Sequence, residues 1–180
     1  MIPTEDQAKK VWEKYQLPEN KRQHVALVAK VAKFLATQLK IKTSGFIIDE
    51  QLLTAAAFLH DIDKNAPKLP GEQHPDTAVR ILKEEGMVEV AQLVATHPLH
   101  AIFDPSITPK TWEEKILYLA DKMVKYEIIT VDARFKLWND EHLPADAQDI
   151  LDRAYPKVKE LEKEIFDLIG IIPRQVAQLA

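Results

Sequence analysis

The chain has 180 residues, 46% hydrophobic and 29% charged, enough to bury the core of one compact domain. Its formal charge of −4, with Lys and Arg scattered rather than striped, excludes a general nucleic-acid binder and leaves room only for a local basic pocket. There is no cysteine, so disulfides and thiolate metal sites are excluded and any metal must be held by His and carboxylates.

The opening segment, MIPTEDQAKKVWEKYQL, lacks the basic, apolar and cleavage regions of a signal peptide. No apolar run approaches the roughly 18 residues of a membrane-spanning helix, so a soluble, cytoplasmic protein without membrane contact is expected. Only 4 glycines and a sustained 3.6-residue apolar period predict an all-α protein. Helices are expected at about 4–16, 20–40, 49–62, 75–85, 87–97, 110–127, 130–140 and 145–169, with a short tail after Pro173. Pro18 precedes the second helix, "TSG" at 43–45 closes it, and Gly86 reads as a helix stop. Pro75 pre-sets the fourth helix, and Thr111 with Glu114 forms a capping-box pattern at the start of the sixth. The last helix is amphipathic, suits packing or a homodimer contact, and should kink at Pro156. The chain reads as a single domain, 1–180, with a core at about 20–135 and a C-terminal helical extension at about 144–170.

Several polar residues fall on apolar rows. Val28, Val31 and Leu35 share a stripe that lands one turn earlier on His24. Leu52 and Ala56 lead to His60, Leu53 and Ala57 lead to Asp61, and Val90, Leu93 and Val94 lead to His97. Asp121 shares a face with Leu117 and Val124, and His74 stands at the mouth of the helix carrying Ala78, Ile81 and Leu82. A lone inward histidine is more often a hydrogen-bonded core residue than a ligand. Jointly, however, two buried acids with no inward Lys or Arg expected beside them need a cation, and imidazole with carboxylate suits Fe, Mn, Co, Ni or Zn.

His24, the adjacent His60-Asp61 pair and Asp121 within YLADK, in that order on helical faces, resemble the HD-domain superfamily of metal-dependent phosphohydrolases. The resemblance runs from about His24 to Arg134 and implies a helical bundle around a central metal site. It implies that His24, His60, Asp61 and Asp121 hold one divalent transition metal, and that His74 and His97 add a second, with Asp61 bridging. The HDIDK stretch is similar to the HDIGK variant, whose lysine lies near the substrate phosphate. Lys64 takes that place, while Asp63 replaces the glycine and would either pair with Lys64 or pull it aside.

The same resemblance implies hydrolysis of a small phosphorylated substrate, a nucleotide above all, by a metal-activated water that Asp61 orients and Lys64 assists. The order of histidines is similar to the symmetrical dinucleoside-tetraphosphate hydrolases. His100, Lys122 and Arg134 are further candidate substrate contacts, although each equally suits a loop or a solvated face; His142 reads as a surface residue. The alternatives are a mononuclear nucleoside 5′-monophosphatase, a di-iron oxygenase on the same scaffold, and a non-catalytic metal-binding module.

Overall fold

The structure is a computed structural model that describes residues 1–180, the side chain of Leu179 excepted. Thr4 starts α1 (Glu5–Lys14) with a reciprocal cap: its hydroxyl accepts the Gln7 N–H, and the Gln7 side chain accepts from Thr4 N at 2.8 Å. The longest apolar stripe builds α2 (Glu19–Lys42), which buries His24, Val28, Val31 and Leu35 on one side. Asp49 caps α3 (Glu50–Leu59) by accepting the Leu52 N–H at 2.9 Å. Two shorter helices follow, α4 (Asp76–Glu84) and α5 (Val88–Val94), separated by Gly86 at φ 74°, a left-handed position suited to glycine. α6 (Trp112–Lys122) starts at the Thr111–Glu114 capping box read in the sequence. α7 (Val131–Asp140) is capped by Thr130, and α8 (Ala145–Ile169) runs as one helix through Pro156 to a left-handed Gly170. A 3₁₀ turn, Pro173–Gln175, and α9 (Val176–Leu179) form the tail.

The architecture is all-α: among the described residues the sole extended pairing is an isolated bridge between Val124 and Ile128. α2 is the central beam, packed against α3, α6 and α8, while α3 also meets α1 and α5, and α4 leans on α5. α8 covers α2, α6, α7 and the 3₁₀ turn Leu99–Phe103, so its apolar face is spent inside the chain. Truncating a fully buried beam residue such as Leu35 to Ala would cost about 2–5 kcal/mol. No helix among the described residues is long and apolar enough to cross a membrane.

Three helices end three or more residues earlier than their apolar periodicity predicts. α3 stops at Leu59 rather than 62, α5 at Val94 rather than 97, and α6 at Lys122 rather than 127. After α3 the chain tightens into the 3₁₀ turn Ile62–Asn65, with Lys64 N donating to Asp61 O at 3.1 Å. After α6 it returns sharply, Ile129 N donating to Met123 O at 2.8 Å, into a β-branched run that caps α7. Pro98 has no N–H to continue α5. These early exits are what position the polar residues, because His60, Asp61, His97 and Asp121 all stand at or just beyond a helix end.

Candidate metal centre

The helix exits converge on one buried cluster. The rings of His24, His60, His97 and His74 form a chain, with successive centroids 5.4, 5.0 and 4.8 Å apart. Asp121 Oδ1 lies 3.0 Å from His24 Nε2 and 3.4 Å from His60 Nε2. Asp61 Oδ1 is 4.0 Å from His60 Nε2 and 3.9 Å from His74 Nε2. All six candidate ligands read from the sequence thus fall into three overlapping groups: His24, His60, Asp121; His60, Asp61, His97; and Asp61, Asp63, His74. Within each group the potential ligand atoms lie within 4.8 Å of one another.

The surroundings hold these side chains in place. Trp12 Nε1 of α1 donates to Phe58 O at 2.7 Å, fixing the last turn of α3 just before His60. Tyr118 Oη donates to Leu99 O at 2.7 Å, and Lys122 donates to His97 O, so α6 pins the 97–99 segment. His60 Nδ1 donates to Ala57 O at 2.8 Å and His97 Nδ1 to Val94 O at 2.6 Å, an oxygen that also accepts the His97 backbone N–H at 3.3 Å. Each bond commits the ring to a tautomer whose Nε2 carries a lone pair pointing into the cluster.

These residues fit a divalent metal on structural grounds. His60 Nε2 is fully buried and has no hydrogen-bond partner, which would be costly if nothing were meant to meet it. His74 Nε2 and His97 Nε2 face each other at 2.9 Å, while the Nδ1 of each is already engaged as a donor. With both Nδ1–H groups donating elsewhere, the two Nε2 lone pairs face each other and suit a shared cation. Neutral imidazole with carboxylate is the donor set of transition metals.

Electrostatics point the same way. Burial and the neighbouring His60 and His74 hold His97 well below the ordinary imidazole range, leaving it neutral. Burial opposes charge on His60, yet Asp61 and Asp121 overcome it and raise its pKa, so the cluster draws positive charge. Asp61 and Asp121 both lie below the usual carboxylate range; burial disfavours their charge, but His60 with Lys64, and Lys122 with His24, outweigh it.

Lys122 overturns the expectation that no cation points inward. It is buried, with Nζ 2.9 Å from Asp121 Oδ2 and 4.0 Å from the centre of the Tyr118 ring. Its ammonium is thus engaged by His97 O and Asp121, at the edge of the cavity that opens over the cluster. Burial lowers its pKa while Asp121 opposes that shift. Two more lysines approach Asp61: Lys64 at 3.3 Å from Oδ1 and Lys21 at 3.2 Å from Oδ2. Lys21 is a site residue beyond those expected from the sequence, although its position three residues before His24, on the same helical face, carries that signal. Asp63 was likewise read only as a neighbour of Lys64. It is instead buried and accepts from His74 Nδ1 at 2.8 Å, while Lys64 turns to Asp61.

A cavity of about 410 Å³ opens over the cluster. Its lining includes His100 and Arg134, and Asp121 keeps 19% of its side chain exposed toward it. Arg134 stacks on Trp138 with its Cζ 4.1 Å from the ring centre, and its Nε and Nη1 are buried without a protein acceptor. His142 is exposed at the far end of α7.

No solved structure matches the chain. An uncharacterized protein of Methanocaldococcus jannaschii is 31% identical over 117 residues, covering 59% of this chain and 67% of the relative. The family model for the HD domain matches residues 22–125, a span that starts just before His24 and ends just after Asp121 and Lys122. The chain belongs to the HD domain family.

Proposed function

We propose that the protein hydrolyses a small phosphorylated substrate, a nucleotide, in the cavity above the His/Asp cluster. Membership of the HD domain family brings metal-dependent phosphohydrolase chemistry in general. The observation that supports the nucleotide reading is the division of the cavity: ligand groups on its floor, unpaired or partly free cations on its walls, and aromatic rings at its edge. His24, His60, Asp61, His74, His97 and Asp121 would hold one or two divalent transition metals. When bound, the metal supplies Lewis-acid stabilisation of developing phosphoryl charge and a water acidic enough to attack near neutral pH.

The chain's own groups do the rest. Asp61, kept ionised by Lys64 and Lys21, suits orienting an attacking O–H rather than accepting its proton, because its basicity is low. Lys64 is free to turn from Asp61 to a phosphoryl oxygen. Arg134 offers Nε and Nη1 as a fork for a second pair of oxygens, held planar against Trp138. Trp138 and the exposed Tyr126 provide faces for a base, and His100 stands where a leaving oxygen could take a proton. These cations suit a phosphate better than they suit dioxygen.

The test is a panel of nucleoside monophosphates, dinucleoside polyphosphates, cyclic dinucleotides and p-nitrophenyl phosphate, each assayed with Mn²⁺, Co²⁺, Ni²⁺, Fe²⁺ and Zn²⁺. Metal-dependent formation of product, free phosphate from the monoesters and nucleoside phosphates from the larger substrates, lost in His60→Ala, is the expected result. Stoichiometric metal with no turnover of any ester would sink the reading and favour the non-catalytic module; oxygen uptake with two irons would favour the oxygenase.

A further inference from the structure

Asp63 makes no contact with a lysine, and nothing in the proposed reaction uses it. Yet it is a buried carboxylate, its side chain 1% exposed, held in the 3₁₀ turn Ile62–Asn65 directly below His74. One oxygen, Oδ2, accepts the His74 Nδ1–H at 2.8 Å; the other, Oδ1, is buried with no partner. Burying an acid in this way is costly unless the bond it makes is one the site needs.

The bond decides which nitrogen of His74 carries the lone pair. With Nδ1–H committed to Asp63, Nε2 is the free base, aimed at His97 Nε2 across 2.9 Å. Were His74 to take the opposite tautomer, its Nε2–H would donate to His97 Nε2. That one bond would consume both lone pairs and close this side of the cluster to an ion. His97 cannot make the compensating change, because Val94 O already takes its Nδ1–H.

We propose that Asp63 is a positioning residue: by accepting the His74 Nδ1–H it keeps His74 and His97 from bonding to each other, and so keeps the Asp61–His74–His97 side open to a second metal ion. The inference rests on the metal-centre reading above. Groups of this kind behind a metal-bound imidazole typically change affinity by about 10- to 100-fold.

The experiment titrates the full-length, metal-free protein with Co²⁺, following visible absorbance and bound metal. In parallel, long-range ¹⁵N–¹H spectra of the metal-free chain read the His74 tautomer. Wild type should bind two equivalents with His74 protonated at Nδ1. Asp63→Ala should keep the first equivalent, weaken the second by about 10- to 100-fold, and move the His74 proton to Nε2. Asp63→Asn, whose amide oxygen can accept the same N–H, should retain the tautomer and most of the second-ion affinity. The retained first equivalent and an unchanged circular dichroism spectrum separate this from misfolding. The proposal is overturned if Asp63→Ala binds both ions as wild type does. It is equally overturned if Asp63→Asn loses the second ion as fully as Asp63→Ala, since the carboxylate would then be a ligand itself. A wild type that binds one equivalent overturns this inference and leaves the proposed hydrolysis standing, whereas one that binds none removes both.

Discussion

The two ends of the His/Asp cluster are built from different material. His24, His60 and Asp121 come from α2, α3 and α6, the helices that share the deepest packing in the molecule. Asp61, Asp63 and His74 come from a 3₁₀ turn and the end of a polar loop, and His97 from a short turn before Pro98. The first end is positioned chiefly by the core; the second is positioned bond by bond, through Asp63 on His74 and Val94 O on His97. Packing thus sets one half of the site and hydrogen bonding the other, so the halves should fail in different ways.

His60 belongs to both ends, and its removal is the harshest test. His60→Ala should lower bound metal at every site and cut hydrolysis by more than about 100-fold, beyond what a residue behind a ligand typically costs. Elemental analysis beside phosphate release reads both. Next in size is Lys122→Met, which leaves the partly buried Asp121 without its ammonium. Loss of one partner from a fully buried pair costs about 3–5 kcal/mol, and with Asp121 part-exposed and His24 still beside it the loss should fall below that range, read by urea unfolding of the metal-free chain. Added Mn²⁺ should then recover more stability in the variant than in wild type, because the ion replaces the missing charge. A smaller effect tests the helical end alone: Thr111→Ala removes the cap of α6 and should cost about 1 kcal/mol, shared by all residues that α6 carries.

The smallest expected effect concerns α1, which touches both halves. Trp12 braces the exit of α3, while Tyr15 Oη donates to Glu85 Oε1 at 2.6 Å at the end of α4. Burial, reinforced by that hydrogen bond, pushes the Tyr15 phenol up from 10.0 to about 12. A raised folded pKa means the contribution is complete below pH 10 and disappears as pH rises through about 12. Unfolding midpoints of wild type and Tyr15→Phe should therefore converge between those values. Parallel curves through that range would show that Tyr15 does not brace α4.

Much of this contrast was legible in the sequence. His24, His60 and Asp121 continue helical apolar rows, so periodicity alone turns them inward. The second end was legible only as residue types, because no period runs through a 3₁₀ turn or past Pro98. Asp63 was misread for that reason: adjacency to Lys64 suggested pairing, whereas the tighter turn sends the two side chains in different directions. Lys122 was hidden differently. α6 is buried nearly all round, from Ile116 to Ala120, so it has no solvated face to receive a lysine, and a search for one apolar stripe misses that. The early helix ends escaped notice because the rings of His60 and His97 bond back to carbonyls one turn away, a feature without a composition signal.

The lysines gathered around Asp61 and Asp121 have a bearing on how the protein matures. Lys21, Lys64 and Lys122 already balance both carboxylates in the bare chain, and a broad apolar core is complete beneath them. Folding is therefore expected not to wait for an ion, in contrast to small domains that collapse only around zinc, and metal-stripped protein should keep its helical circular dichroism. An apoprotein that folds this way would accept its ion late, and the ion it carried would record the supply at the moment of loading rather than the order of its synthesis.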